Sequence, residues 1–448
     1  MAAAVLIVIA ASAWVKTSFG DRSSKSASAP KVQVPPRAWQ LAADLSGSQF
    51  VLATGNPAAV LGVTCGDTTT CFLSTGYGLD YSGGGGMFVS HDGGRTWQPT
   101  TLPPDTAITT LVSCATSTWC ASGSGRLDPT TGDPAAKKPS RDPELMVTTD
   151  GGATWASKPV PIPVDVQQLP AYQNLPAETT YWPGQIDAVS CSAPGICNVV
   201  GHTQVDAPGG GIADELVFLR TTDGGTHWSS SILPELSSEA SFQVVVQSGD
   251  SVSMACPTAN ACIVVGSLFP VFNLAGGVVD VWRTTDAGKD WEENRVQNVN
   301  NIRSGVTCPD TVNCWMIPQA IADPASGKYS AANDLLHSSD GGTKWTPVAA
   351  PNFDPPRIPP GGGTWSSISC ASQSVCYLGG SGIAETTNEG SSWQKVSLPS
   401  QVGGVLGISC NHERSCVALA TPVTQSGNFA NEGSLILTNS ATASPGQD

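Results

Sequence analysis

The fourteen cysteines of this chain form seven pairs with one spacing, six positions apart: Cys65/Cys71, Cys114/Cys120, Cys191/Cys197, Cys256/Cys262, Cys308/Cys314, Cys370/Cys376 and Cys410/Cys416. Six of the pairs are followed by a common turn. Its first copy reads Ser90-His91-Asp92-Gly93-Gly94-Arg95-Thr96-Trp97, and the others end at Trp155, Trp228, Trp291, Trp345 and Trp393. A chain written as similar units of about 40 to 75 residues cannot bury a core unit by unit, so the units must stack into one body. That points to a single large repeat domain, although 448 residues would accommodate two or three domains by length alone.

Apolar residues flank each pair, as in Cys197-Asn198-Val199-Val200, which reads as two strands joined by a tight turn. Facing positions of a hairpin approach the Cα separation of about 4.4 to 6.8 Å that a disulfide needs, so local pairing within each unit is expected. Zinc is the competing reading, but its ligand pairs usually lie two to four residues apart and need a second pair nearby. Disulfides in turn imply an oxidising, extracytoplasmic compartment.

Composition agrees with short strands and many turns: 48 Gly and 34 Pro, with only 13% charged residues and no clean helical period. The formal net charge of −15, with 21 Lys and Arg, argues against nucleic acid or an anionic lipid surface as the main partner. Residues 1–20 open on an apolar run, AAAVLIVIAASAWV, of a length suited to a signal peptide and short of the roughly 20 residues that span a bilayer. It is read as a signal peptide, with Ala11-Ser12-Ala13 as the cleavage site, or as a membrane anchor, the chain's one expected membrane contact. Residues 21–36 are Ser, Ala and Pro-rich and read as a flexible linker, residues 37–440 as the repeat body, and 441–448 as a disordered tail.

The recurrent turn has the pattern S/T-x-D-x-G-x-x-W, with Asp92, Asp150, Asp223, Asp286, Asp340 and Asn388 at the acidic position. Asp or Asn there accepts N–H bonds from the residues that follow, and the glycine supplies a positive φ. This pattern resembles the Asp-box, or BNR, repeat of sialidases and many other β-propellers. The resemblance implies that the box is a structural hairpin turn between the third and fourth strands of a blade, and that these six residues have no catalytic role.

Each unit can then be written as strands A to D: A ends at the first Cys, B starts at the second, C precedes the box and D follows it. The seventh unit ends after Ser434–Asn439 without a D strand, while Ala38-Trp39-Gln40-Leu41-Ala42 supplies one with no unit of its own. The fold class expected is all-β, a seven-bladed propeller with one disulfide in each blade, closed by the N-terminal strand. The A–B and C–D turns fall on one face. The irregular segments, including Gly125–Pro143, Pro159–Gln185, Thr203–Asp214, Pro234–Asp250, Leu268–Val278, Pro318–Asn333 and Pro351–Gly363, fall on the other, where a binding face is expected.

On that variable face Tyr172, Tyr181, Trp182 and Asp187 offer rings beside a carboxylate, which suits a sugar, or equally anchors a long loop. Arg303, Arg357 and Trp365 enter the same face. Sialidase chemistry, as the resemblance implies, needs an arginine triad, a Tyr paired with Glu and an Asp. Arg357-Ile358-Pro359 reproduces the R-I-P of that family's first arginine motif, but Pro356 replaces its aromatic and the motif follows the fifth box instead of preceding the first. No Ser-His-Asp or Cys-His arrangement is visible, and no metal or cofactor is expected. The reading is an exported or surface-tethered monomer that binds a glycan or a protein in the cell envelope. A glycoside hydrolase and an assembly factor for a membrane complex are the alternatives, and a pair of carboxylates about 5 to 9.5 Å apart at the channel mouth would mark the enzyme.

Overall fold

In the computed structural model the described residues are 37–45, 59–76, 86–103, 106–108, 111–126, 143–162, 180–207, 211–234, 252–268, 278–322, 329–331, 334–351, 365–411, 414–423 and 435–439. They form seven antiparallel sheets, one for each cysteine pair, and no helix. The first six blades follow the chain, and their A strands begin at Ala59, Thr106, Thr180, Val252, Val299 and Trp365. The seventh takes A from Val402–Cys410, B from Cys416–Pro422, C from Leu435–Thr438 and D from Gln40–Asp44. Leu41 lies opposite Leu437 and Gln40 opposite Thr438, so the strand that precedes the first blade completes the last one. The A strand of every blade adjoins the A strand of the next, blade 7 to blade 1 included, so seven inner strands surround one axial channel.

Burial follows the same seven-fold plan. Each buried apolar cluster lies between two neighbouring blades; one joins Val417, Leu419 and Ile436 of blade 7 to Val63, Leu73 and Phe88 of blade 1. Every box tryptophan packs between its own blade and the preceding one. Trp155 meets Phe72 edge-on, Trp393 meets Trp315, and Trp39 meets Tyr377, with ring centroids 5.8 to 6.1 Å apart. Phe72, Trp315 and Tyr377 each follow the second cysteine of their blade, so one sequence position supplies the receiving surface. In blade 3 that position is Asn198, which is fully buried, and Phe218 of strand C receives Trp291 instead. Asn198 accepts a hydrogen bond from Arg220, whose guanidinium also donates to the Ala259 carbonyl in blade 4.

All seven disulfides are intrablade: Cys65–Cys71, Cys114–Cys120, Cys191–Cys197, Cys256–Cys262, Cys308–Cys314, Cys370–Cys376 and Cys410–Cys416, with Cα atoms 4.0 to 4.2 Å apart. Where the two cysteines are paired in register, they face each other directly across the A–B hairpin, as Cys65 and Cys71 do. No cysteine is free.

The sequence treats the two members of a pair alike, and the structure corrects this. The second cysteine opens the buried strand B, so Cys71, Cys120, Cys197, Cys262, Cys314, Cys376 and Cys416 are each at most 1% exposed. They belong to the core as much as to the turn. Cys120 packs with Val112 and Met146, Cys262 with Val264 and Trp282, and Cys376 with Leu378 and Ala384. These sulfurs are buried away from solvent, and that of Cys262 also accepts a hydrogen bond from Asn198 of blade 3. The first cysteine of five pairs, Cys65, Cys114, Cys308, Cys370 and Cys410, stays half-buried at the inner edge.

The backbone N–H of the first cysteine turns away from its partner and donates to a serine hydroxyl on the previous inner strand. Cys65 bonds Ser409, Cys191 bonds Ser113, Cys256 bonds Ser190 and Cys410 bonds Ser369, at 2.9 to 3.1 Å. These hydroxyls satisfy edge N–H groups that a lone four-stranded sheet would leave unpaired.

The box turns account for their own sequence. In blade 2 the Asp150 carboxylate accepts from the Thr148 hydroxyl at 2.8 Å, the Thr154 N–H at 2.9 Å and the Thr154 hydroxyl at 2.6 Å. These bonds favour the ionised form. The hydroxyl bond from Thr154 is the largest influence, and the carboxyl is held at about 2. Asp92 is also depressed: burial raises it, but the bonds from Thr96, Ser90 and Arg95 outweigh burial. Asn388 makes the same set without a charge, accepting from the Thr386 hydroxyl and the Ser392 N–H and donating to the Ser392 hydroxyl at 2.8 Å.

The residue after the acidic position then donates its N–H to the cysteine turn of its own blade. Gly93 bonds Thr69, Gly151 bonds Thr118, Gly224 bonds Gly195, Ala287 bonds Asn260, Gly341 bonds Val312 and Glu389 bonds Ser374. In every case the acceptor lies two positions before the second cysteine. The two short turns therefore touch, on one face, in six blades. In blade 7, which lacks the box, Asn439 bridges to Cys416 through the backbone and through its side-chain oxygen.

Two expectations about the other face are also corrected. Thr203–Asp214 is not an irregular loop: strands B and C of blade 3 stay paired out to Ala207 opposite Gly211, and strand A is paired with B from Thr180. Pro318–Asn333 is likewise partly strand, since Cys314–Ala322 pairs with Tyr329–Ala331.

Candidate functional site

With both repeated turns on one face, the opposite end of the channel is where the blades differ. Most inner strands carry a β-bulge there. The register of strand A slips between Val60 and Gly62, Ile186 and Ala188, Ile302 and Ser304, Trp365 and Ser367, and Val405 and Gly407. The residues at these slips in blades 3, 5, 6 and 7 are Asp187, Arg303, Ser366 and Leu406, four or five positions before the first cysteine. A bulge leaves one residue out of the ladder and re-aims its side chain, and bulges recur beside binding sites. Blade 4 shows no slip in the pairing of Val252–Ala255.

Two of the residues proposed from the sequence, Asp187 and Arg303, therefore both sit at register slips of their inner strands. Asp187 is buried against His202 of strand B, with its carboxylate oxygens 2.8 and 3.0 Å from Nδ1. His202 was not a candidate, because the sequence does not reveal that a bulge brings residue 187 back to face it. Arg303 is partly buried, and burial lowers its pKa. Ser366 donates to the Val405 carbonyl of the next blade at 2.7 Å, which ties two inner strands together. Leu406 and, on blade 2, Leu111 are 39% and 47% exposed although they lie on or beside inner strands. Leu111 reaches back to Gly62 of blade 1, where a Cβ would come within 2.6 Å of its methyl group. The described wall is thus apolar on blades 2 and 7 and polar on blades 3, 5 and 6.

Trp365 is corrected to a core residue: it is 1% exposed and packs with Trp315, Ile317 and Ile368 between blades 5 and 6. Tyr181 and Trp182 lie on strand A of blade 3, opposite Val205 and Gln204. Tyr172 and Arg357 lie outside the described residues.

One grouping has the composition of a sialidase centre but the wrong position. The Tyr377 hydroxyl donates to Glu385 Oε1 at 2.8 Å, and Arg414 of blade 7 bonds the same oxygen. Tyr377 and Glu385 are 0% and 2% exposed, and Arg414 lies within the cysteine turn. This cluster joins blades 6 and 7 at the turn face. Burial, followed by the Glu385 charge, pushes the Tyr377 hydroxyl up to about 12.

The BNR/Asp-box repeat model matches residues 88–99, the first of the six turns, and the shared hydrogen bonds extend the motif to the other five. No curated protein matches the chain. Among solved structures it is similar to YCF48 bound to D1 peptide, with a TM-score of 0.46 at 14% identity, covering 93% of this chain and 98% of that one. It is also similar to the β-propeller domain of the Trilobed protease from Pyrococcus furiosus, with a TM-score of 0.46 at 9% identity, covering 85% and 95%. Trypanosoma rangeli sialidase in complex with the inhibitor DANA gives 0.42 at 14% identity, covering 87% of this chain and 57% of the sialidase.

Proposed function

We propose that this protein is an exported or surface-tethered, monomeric propeller that binds a glycan or a protein of the cell envelope on its variable face, without catalysis. The observation that carries the reading is the division of the ring. One face is locked by seven disulfides and six repeated turn-to-turn bonds, while the other carries extended strands on blades 3 and 5 around a channel wall of mixed chemistry. A rigid ring that presents variable segments at one end is the usual arrangement of a recognition surface. The disulfides support an oxidising compartment, and residues 1–20 supply the leader or anchor that takes the chain there.

The test combines a glycan array, capture of envelope proteins by the oxidised full chain, and hydrolysis assays on fluorogenic glycosides. Saturable retention of one sugar class or one protein without turnover is the expected result. Turnover abolished by Asp187→Asn would overturn the reading in favour of a glycoside hydrolase, and the absence of any ligand would overturn it outright.

A further inference from the structure

Seven arginines have described side chains, and six of them have an acceptor. Arg37 donates to the Arg414 carbonyl, Arg95 to the Asp92 carbonyl and Arg220 to Asn198. Arg283 pairs with Glu292, Arg295 with Asp280 and Arg414 with Glu385. The exception is Arg303: its Nε is buried with no hydrogen-bond partner, and no ion pair is found for its guanidinium among the described residues. This occurs in a chain with 36 acidic residues against 21 basic ones, where a counter-charge is the easiest thing to supply. Arg95 Nη2 and Arg414 Nε are also buried without a partner, but each of those guanidiniums has an acceptor elsewhere, and leaving a buried cation with none is costly.

The surroundings hold the arginine in place without satisfying it. Ile302 is buried between blades 4 and 5, and its N–H donates to the Ser267 hydroxyl at 3.1 Å. Two residues before Arg303, Asn301 is occupied with Gln319 of strand B. The register slip between Ile302 and Ser304 then releases residue 303 from the ladder on the wall of the channel. Resting on the proposed binding function above, we infer that Arg303 is the anchor of an anion subsite that takes a carboxylate group of the ligand. A planar guanidinium receives a carboxylate through two parallel N–H bonds, and partial burial strengthens that pairing relative to water. The carboxylate can come from an acidic sugar or from a peptide terminus.

The test follows the Nε–Hε resonance of Arg303 in the oxidised full chain by NMR, assigned by its loss in Arg303→Lys. Sodium glucuronate, the dipeptide Leu-Leu with a free carboxylate, its C-terminal amide and sodium chloride are titrated separately. A saturable shift with glucuronate or the free dipeptide, weakened about tenfold or more in Arg303→Lys, is expected, and the stronger of the two identifies the source. No shift with either carboxylate, or an equal shift with the amide or with chloride at matched ionic strength, overturns the subsite. Arg303→Lys keeps the charge and the long stem, and its melting temperature is measured alongside. If a variant with unchanged melting retains the envelope ligand with full affinity, the subsite fails while the binding function stands.

Discussion

Asp150→Asn and Asp150→Ala separate two explanations of the box turn. If hydrogen-bond geometry holds the turn, asparagine suffices: its Oδ1 accepts from Thr148 and Thr154, and its Nδ2 donates to the Thr154 hydroxyl, as Asn388 does to Ser392. Alanine removes all three bonds. Because Asp150 and Thr154 are exposed, water takes up part of the loss, so the cost is about 1–2 kcal/mol instead of three full bonds. Asparagine should cost less than ~0.5 kcal/mol at pH 7. The carboxyl is held near 2 in the folded protein, below its ordinary value of ~3.9, so its contribution is complete above that value and is lost as pH falls toward 2. Calorimetric melting of the oxidised protein should therefore rank wild type and Asp150→Asn close together, with Asp150→Ala below both. The small lead of wild type over Asp150→Asn should disappear as pH falls to about 4 and reverse below it, because only the carboxylate becomes protonated. An asparagine variant as unstable as the alanine variant at pH 7 would mean that charge, not geometry, organises the turn, and the argument from Asn388 would be wrong.

Gly390→Ala should be much more damaging than Gly224→Ala: both have a positive φ, but the new Cβ runs into the Trp315 ring in the first and meets nothing within 4 Å in the second. Denaturant midpoints should place Gly224→Ala within about 1 kcal/mol of wild type and Gly390→Ala several-fold further away. Trp39→Ala should cost about 3–5 kcal/mol and, in hydrogen exchange, release the amides of Leu435–Thr438 before those of blades 2 to 5. Ultraviolet titration should show one tyrosine that ionises only near 12, with stability falling from about pH 10 upward, because the folded state retains a proton that the unfolded chain gives up. Tyr377→Phe should remove that step.

The architecture was legible because its signals are local and repeated. A cysteine pair in register, a box with its tryptophan and a stray Trp39 together specify blades, faces and closure. Which sulfur of each pair enters the core was less plain, since Cys114 and Cys120 look alike in sequence and differ only in how far strand B lies beneath its neighbours. The channel wall was not legible. A β-bulge is a mismatch between two strands and leaves no mark in either alone, so neither the meeting of Asp187 with His202 nor the release of Arg303 could be read in advance. Trp365 misled for a related reason: a tryptophan at the head of a strand reads alike whether it faces a ligand or the next blade, and the neighbouring Trp315 decides it. The strand extensions of blades 3 and 5 were hidden by glycine and proline, which look like loop residues in sequence but lie beside pairs that hold.

The outermost strand of the last blade is also the first strand among the described residues, and it is pinned by Trp39 beneath it and by Arg37 against Arg414. A load applied from the amino-terminal side is therefore delivered to one four-residue ladder before any other part of the ring feels it. Each cysteine cross-link lies between two inner strands of its own blade, so none of them shields that ladder. Pulling would peel a single ribbon from the rim and leave six complete blades and a cross-linked, three-stranded seventh, ready to accept the ribbon again once the tension is released.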